Sequence, residues 1–125
     1  MNNRRSFITG IKSTKLSTLE KKFLRKYKPW GVILFSRNIQ NIKQTLKLTT
    51  SIRKIFNDKK YPILIDQEGG RVNRLKKIIT FDNLTSEYFG KKYLKNFKEF
   101  NFFYKLFIDK TSYLLRSIGV NINTA

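Results

Sequence analysis

Short apolar runs alternate with amphipathic stretches along this chain of 125 residues, and the alternation predicts strands that are followed by helices. Wholly apolar runs at residues 31–35 (GVILF) and 61–65 (YPILI) are typical of strands buried on both faces of a parallel sheet. Weaker strand patterns occupy residues 6–11 and 120–123. The spacing therefore predicts four short strands with longer segments between them.

Two helices are predicted in the first half of the chain. Ser17 and Glu20 form a capping-box pattern, so a helix should cover residues 18–27, and Pro29 bars its continuation. A second helix should cover residues 42–56. The side chains expected on the inner faces of these two helices are Leu19, Phe23 and Leu24, and then Ile42, Leu46, Thr49, Ile52 and Phe56.

The second half of the chain predicts a long loop, a short helical turn and the strongest helix. The loop covers residues 67–84, the turn 85–89 and the helix 95–117, with Gly119 as its stop. Aromatic and aliphatic side chains recur every three or four residues along this helix, which indicates core packing. They are Phe97, Phe100, Tyr104, Phe107, Thr111, Leu114 and Ile118.

The order of elements is strand, helix, strand, helix, strand, loop, helix, strand. Alternating β and α units with apolar strands indicate an α/β fold with a parallel sheet. No repeat, linker or composition shift divides the chain, so residues 1–125 are interpreted as a single domain.

Charge raises the question of nucleic acid. Lys and Arg total 27 against 8 Asp and Glu, which gives a formal net charge of +19. Such a balance favours phosphate binding. The lysines are scattered along the chain and no nucleic-acid motif is present, so a general compositional bias is the preferred explanation. Nucleic acid is therefore not the partner that this sequence favours.

Absent residue types exclude several classes of function. The sequence contains neither Cys nor His, which excludes disulfides, thiolate metal sites and a Ser-His-Asp triad within these residues. No apolar run approaches the length of a membrane helix or a signal peptide, so a cytoplasmic location without membrane contact is expected.

A polar, glycine-rich segment directly follows the strand predicted at 61–65. Asp66, Glu68, Arg71 and Arg74 lie within nine residues around Gly69 and Gly70. Ligands of parallel α/β proteins bind at the carboxyl ends of the strands, where a carboxylate can accept hydroxyl hydrogen bonds and an arginine can donate. The pattern predicts a polar-ligand site; an ordinary loop with an Asp–Arg ion pair is the alternative.

The segment ILIDQEGGRVNRL (63–75) resembles the signature of bacterial β-N-acetylglucosaminidases of glycoside hydrolase family 3. PWGVILFSRNI (29–39) is similar to the second strand and following loop of that family, and ITGIKSTKLSTLEKKFL (8–24) to its opening strand and helix. SIGVNINTA (117–125) resembles the beginning of a further family motif. The resemblance is collinear over nearly the whole chain.

This resemblance implies an α/β fold that is the N-terminal half of a (β/α)8 TIM-type barrel, incomplete at about the fourth strand. It implies substrate-binding roles for Asp66 and Arg74, and structural roles in the loop for Glu68, Gly69, Gly70 and Arg71. The implied substrate is an amino sugar of the GlcNAc-anhydro-muramyl type from peptidoglycan turnover. Neither a cofactor nor a metal is implied.

The groups that perform the family's retaining hydrolysis are not expected in these residues. The family uses an aspartate nucleophile and a His-Asp acid/base pair on later segments, and this sequence has no histidine. We therefore expect no catalytic residue and no hydrolysis from the chain alone. Two alternatives stay open: a small basic protein that binds nucleic acid or another acidic polymer, and a half-barrel without function.

Overall fold

Four parallel strands form one sheet in the computed structural model, which describes residues 3–125. Their order across the sheet is β1-β2-β3-β4, and each strand pairs in parallel with the next. The strands are β1 (Arg5–Gly10), β2 (Pro29–Leu34), β3 (Ile63–Ile65) and β4 (Ile122–Asn123), and the helices are α1 (Thr18–Tyr27), α2 (Ile42–Phe56), α3 (Ser86–Lys95) and α4 (Phe97–Ser117). The predicted α/β class and the parallel sheet are confirmed.

Helices α1 and α2 begin and end where the sequence predicts. Ser17 and Glu20 form the expected capping box, in which the Glu20 N–H donates to the Ser17 hydroxyl at 3.1 Å and the Glu20 carboxylate accepts from the Ser17 N–H at 2.8 Å. Asn41 caps α2 by accepting from the N–H of Gln44 at 2.8 Å. Local hydrogen bonding therefore determines both helix starts.

The buried faces of these helices differ from the prediction. Leu19 of α1 is 78% exposed, whereas Leu24 is buried. In α2 the predicted Ile42 and Leu46 are exposed. The buried side chains of α2 are Thr45, Leu48, Thr49 and Ile52.

Two threonines belong to the buried face of α2: Thr49, which was predicted there, and Thr45, which was not. The Thr45 hydroxyl donates to the Asn41 carbonyl at 2.8 Å, and the Thr49 hydroxyl lies 2.9 Å from the carbonyl oxygen of Ile118. Because their hydroxyl groups have partners, both threonines can be buried at little cost. The prediction is therefore confirmed for Thr49 and Ile52 and wrong for Ile42 and Leu46.

Asn96 divides the end of the chain into two helices. The sequence predicts only a turn at 85–89, but α3 continues to Lys95. Asn96 is extended (φ −156°, ψ 99°), and its side chain accepts from the N–H of Glu99 at 3.1 Å to cap α4. The helix predicted at 95–117 therefore begins at Phe97.

Only the C-terminal half of the aromatic stripe on α4 lies in the core. Thr111, Leu114 and Ile118 are buried, whereas Phe97 is 60% exposed. Further along, Tyr104 packs on Phe89 of α3 with ring centroids 5.0 Å apart. The prediction of core packing is thus wrong for the first turns of α4, which form an aromatic cluster with α3 instead.

The main core lies on the helix-covered face of the sheet. Val32, Leu34, Ile63 and Ile65 project from β2 and β3 into one buried cluster with residues of all the helices except α3. Burying a side chain of this type contributes about 1.5–3 kcal/mol. The central strands are therefore the most strongly stabilised part of the fold.

The opposite face of the sheet is also apolar. Gly10, Ile33, Leu64 and Ile122 are register partners across all four strands, so these positions share one face. Leu64 is buried but lies outside the main core cluster. The sheet therefore has two apolar faces, as the unbroken apolar runs of β2 and β3 predict.

No helix within residues 3–125 combines the length and apolar character needed to cross a membrane.

Candidate functional site

The carboxyl edge of the sheet carries the loops that follow β1, β2 and β3. Since all four strands are parallel, these loops meet at one edge. Asp66 is the first residue after β3, and the loop that it begins extends to Thr85, the cap of α3. The polar segment singled out in the sequence therefore lies where ligands of parallel α/β proteins bind.

Asp66 and Arg74 are brought together by this loop. The Arg74 guanidinium donates to the Asp66 carboxylate at 3.3 Å, and the two side chains are 27% and 31% exposed. Both groups therefore keep surface that a ligand can reach. The pair offers one anionic acceptor and one rigid cationic donor beside each other.

Phe35 supports two arginines at the same edge. The guanidinium carbons of Arg74 and Arg37 lie 5.5 and 4.6 Å from the centroid of its ring. Stacking of this kind holds a guanidinium in place without using its hydrogen-bond donors. The Nε atom of Arg74 is buried and has no hydrogen-bond partner among residues 3–125.

Gln67 organises the loop around the Asp66–Arg74 pair. It is buried, and its side-chain oxygen accepts from the backbone N–H groups of Arg74 at 2.8 Å and Leu75 at 3.1 Å. Its side-chain nitrogen donates to Asn73 at 3.2 Å. A buried amide that uses both ends in this way fixes the path of the backbone.

Asn123 of β4 ties the same residue to the sheet. Its side-chain oxygen accepts from the Gln67 N–H at 3.0 Å, and its side-chain nitrogen donates to the Gln67 carbonyl at 3.1 Å. The two bonds continue the pairing of β3 and β4 beyond the end of β3. The start of the loop is therefore an extension of the sheet.

Gly69 and Gly70 form the tight turn of the loop. Their φ angles are +95° and +56°, and a Cβ atom on Gly69 would lie 2.4 Å from the Leu84 carbonyl oxygen. The N–H of Glu68 donates to the carbonyl of Val72 at 3.0 Å across the turn. Only glycine meets both the backbone and the space requirements here.

Glu68 and Arg71 are the exposed residues of the turn. Within residues 3–125, neither side chain makes a hydrogen bond or an ion pair. Glu68 borders a cavity of ≈ 380 Å³ together with aromatic rings of α3 and α4 such as Phe89 and Tyr104. Gln67 therefore braces this loop through its side chain. No side-chain hydrogen bond or ion pair within residues 3–125 supports the loop-bracing roles expected for Glu68 and Arg71.

Asn38 joins the loops after β1 and β2. It is fully buried; its amide nitrogen donates to the carbonyls of Ile11 at 3.1 Å and Ser13 at 2.9 Å, and its oxygen accepts from the Phe35 N–H at 2.9 Å. Arg37 also donates to the Ile11 carbonyl, at 3.0 Å. These bonds position Phe35 and, through it, the arginines of the site.

Glu20 fastens the loop after β1 to the first turn of α1. Its carboxylate accepts from the N–H groups of Lys12 and Ser17 at 2.8 Å each. Burial raises the pKa of Glu20, but these hydrogen bonds and the Lys12 charge outweigh it, so the pKa lies below its usual 4.5. The anionic form of Glu20 is therefore part of the folded structure.

The sequence predicted Asp66 and Arg74 but missed Phe35, Asn38, Gln67 and Asn123. A signal for the asparagines and Gln67 was available, because each is a polar residue beside an apolar strand and must find buried partners.

No group of three acidic side chains that could hold a metal ion occurs in the part of the chain that the structure describes.

The chain is similar to known glycoside hydrolases over part of its length. No family model matches the chain. Curated proteins named β-hexosaminidase do match it: that of Alkalilimnicola ehrlichii is 42% identical over 73 residues, and that of Hydrogenovibrio crunogenus is 45% identical over 69. The chain is similar to the N-terminal part of NagZ-type enzymes of glycoside hydrolase family 3.

Solved structures show the same relationship. NagZ from Neisseria gonorrhoeae in complex with N-trifluoroacetyl-D-glucosamine is 36% identical over 61% of this chain and 22% of its own, with a TM-score of 0.53. A family 3 β-N-acetylglucosaminidase from Paenibacillus covers 95% of the chain with a TM-score of 0.64 at 24% identity, which is a likeness of fold.

The similarity is limited in extent. The two β-hexosaminidases match 57% and 55% of this chain, and the chain spans about a fifth of their length (20% and 19%). Their activity belongs to proteins much longer than these 125 residues.

Proposed function

We propose that residues 1–125 form the first part of the catalytic domain of a β-N-acetylhexosaminidase and bind the terminal N-acetylglucosamine of its substrate. Asp66 would accept hydrogen bonds from sugar hydroxyls, and Arg74 would donate to the same sugar. The observation that supports this most is the Asp66–Arg74 pair, held at the carboxyl edge by buried Gln67 in a chain similar to β-hexosaminidases.

The structure around the pair favours binding over proton transfer. Arg74 donates to the Asp66 carboxylate, so the pair presents an acceptor and a cationic donor beside each other. Glu68 is the other nearby acid in the sequence, and its exposed side chain borders the separate cavity between the β3–α3 loop and the helices α3 and α4. Since a retaining glycosidase needs two groups about 5–5.5 Å apart across the scissile bond, these residues alone are not expected to hydrolyse a glycoside.

We infer that the sheet belongs to a (β/α)8 barrel. The apolar row of Ile33, Leu64 and Ile122, on the face away from the helices, supports this because such barrels fill their interior with branched side chains. Further strands and the catalytic groups would be supplied from outside these residues. The natural substrate we propose is a GlcNAc-anhydro-muramyl fragment of peptidoglycan turnover in the cytoplasm.

A chimera tests this proposal. Residues 1–125 replace the matching part of Neisseria gonorrhoeae NagZ, and hydrolysis of a chromogenic β-N-acetylglucosaminide is measured beside the unmodified enzyme. We expect measurable turnover by the chimera and none by the isolated chain. A folded chimera that neither binds N-acetylglucosamine nor hydrolyses the substrate would refute the proposed function, and turnover by the isolated chain would refute the need for outside groups.

A further inference from the structure

A cavity of ≈ 520 Å³ lies between α1 and α2, away from the Asp66–Arg74 pair. Leu16 and Leu48 give it apolar surface, and four lysines border it, Lys15, Lys21, Lys43 and Lys47. No residue of the sugar site contributes to its lining. All of its walls come from residues 14–51.

The positive charge around this cavity has no local counter-charge. None of the residues that line it is acidic. The nearest acid in the sequence, Glu20, accepts hydrogen bonds from Lys12 and Ser17 and does not line the cavity. The first turn of α2 contains no acidic residue either, and it carries Lys43 at the end where a helix already has a partial positive charge.

This placement of charge is unfavourable for the protein by itself. Like charges around one cavity repel each other, and a lysine in the first turn of a helix opposes the helix dipole. An anion that enters the cavity removes both penalties. The apolar floor adds contact surface for a ligand that carries more than charge.

We propose that the cavity binds a small organic phosphate, with the phosphate between the four ammonium groups and the apolar or planar body of the ligand on Leu16 and Leu48. Phosphate fits better than a carboxylate because its charge is greater and its several oxygens can contact more than one ammonium group. A partly open cavity of this volume suits a single small molecule, whereas a nucleic acid would need a charged surface along the backbone of the polymer.

The experiment uses isothermal titration calorimetry on the full chain at physiological ionic strength, with ADP, adenosine and pyrophosphate as probes. We expect ADP to bind more tightly than pyrophosphate, and adenosine to bind at least about tenfold more weakly than ADP. Equal affinities for ADP and adenosine would overturn the role of the phosphate. Absence of ADP binding at millimolar concentration would overturn the site.

A matched pair of variants separates the cavity from the overall charge of +19. Lys21→Gln with Lys47→Gln removes two charges at the cavity, and Lys59→Gln with Lys105→Gln removes two exposed charges elsewhere. We expect the first pair to weaken ADP binding at least about tenfold and the second less than about twofold. Equal losses of ADP affinity in the two double variants would refute a small-molecule site. So would a single-stranded oligonucleotide that binds more tightly than ADP and whose affinity falls equally in both variants.

The same first variant also reports on folding. Circular dichroism and the thermal midpoint of Lys21→Gln with Lys47→Gln should match those of the unmodified chain, because both side chains are exposed. Lys21→Arg with Lys47→Arg keeps the charge and should retain ADP binding within a few fold. Loss of binding in the arginine variant as well would contradict recognition by positive charge.

Discussion

The side-chain oxygen of Gln67 accepts a 2.8 Å hydrogen bond from the backbone N–H of Arg74. Gln67, the residue after Asp66, thus holds the backbone of Arg74, and the Arg74 guanidinium donates to Asp66. The geometry of the half-buried pair therefore depends on a fully buried neighbour.

Gln67→Leu should destabilise the fold. It keeps a side chain of similar size but leaves the Arg74 N–H without an acceptor, and an unsatisfied buried donor costs about 1–3 kcal/mol. With the lost bonds to Leu75 and Asn73, we expect the free energy of unfolding in urea to fall by about 2–4 kcal/mol. Glu68→Gln, at the exposed next position, is the control and should change it by less than about 0.5 kcal/mol. Equal effects would contradict the role of Gln67.

Asn38→Ala should detach the loop after β1. Three hydrogen bonds to Ile11, Ser13 and Phe35 are lost, so we expect a loss of about 2–4 kcal/mol in unfolding free energy. Amide exchange should also become faster around residues 11–13. Gln40→Ala, at an exposed position two residues after Asn38 in the loop after β2, should leave both measurements almost unchanged. Unchanged exchange in Asn38→Ala would show that the loop is held by other contacts.

Two glycines should respond to alanine in opposite directions. Gly119 has a φ of +77°, and a Cβ atom there would lie 2.3 Å from the Thr49 hydroxyl oxygen, so Gly119→Ala should lower stability by about 1–3 kcal/mol. Gly90 lies inside α3 with open space around it, and Gly90→Ala should raise stability by about 0.5–1 kcal/mol through helix propensity. Thermal midpoints that shift in the same direction would contradict the difference between the two positions.

Acid should weaken the attachment of the loop after β1 to α1. The pKa of Glu20 is lower in the folded chain than its usual 4.5, so its contribution is complete above the unfolded pKa and is lost as the pH falls through the folded pKa. We expect the unmodified chain to lose more stability than Glu20→Gln when the pH is lowered from about 5 to 3. Near neutral pH, the free energy of unfolding of the unmodified chain should exceed that of Glu20→Gln by about 0.5–1 kcal/mol, as for other helix caps. Parallel curves of unfolding free energy against pH for the two proteins would contradict this role of Glu20.

In the chimera, Asp66 and Glu68 should differ. Asp66→Ala removes a charge-assisted acceptor and also leaves Arg74 without its partner, so kcat/KM should fall by at least about one to two orders of magnitude. Glu68→Gln should have a much smaller effect because its side chain is exposed at the turn. The assay is hydrolysis of the chromogenic β-N-acetylglucosaminide. Activity that survives Asp66→Ala and disappears with Glu68→Gln would reverse the two roles.

Much of the architecture follows from the sequence by itself. The starts of α1 and α2 are encoded locally by the caps Ser17 and Asn41. Their ends are encoded by Lys28 and Asn57, which have left-handed backbones, because caps of both kinds act within a few positions. The parallel sheet follows from the unbroken apolar runs of β2 and β3. The position of Asp66 at the end of β3 follows from the same pattern.

The tertiary structure decided those features that depend on contacts between distant parts of the chain. Thr49 is buried because its hydroxyl group finds the distant carbonyl of Ile118 as a partner, whereas Ile42 and Leu46, predicted on the same inner face, are exposed. Phe35 lies beneath Arg74 because Asn38 holds the loop after β2 against the loop after β1. Contacts of this kind join residues far apart in the chain, so the free energy that selects them exists only once the elements have packed.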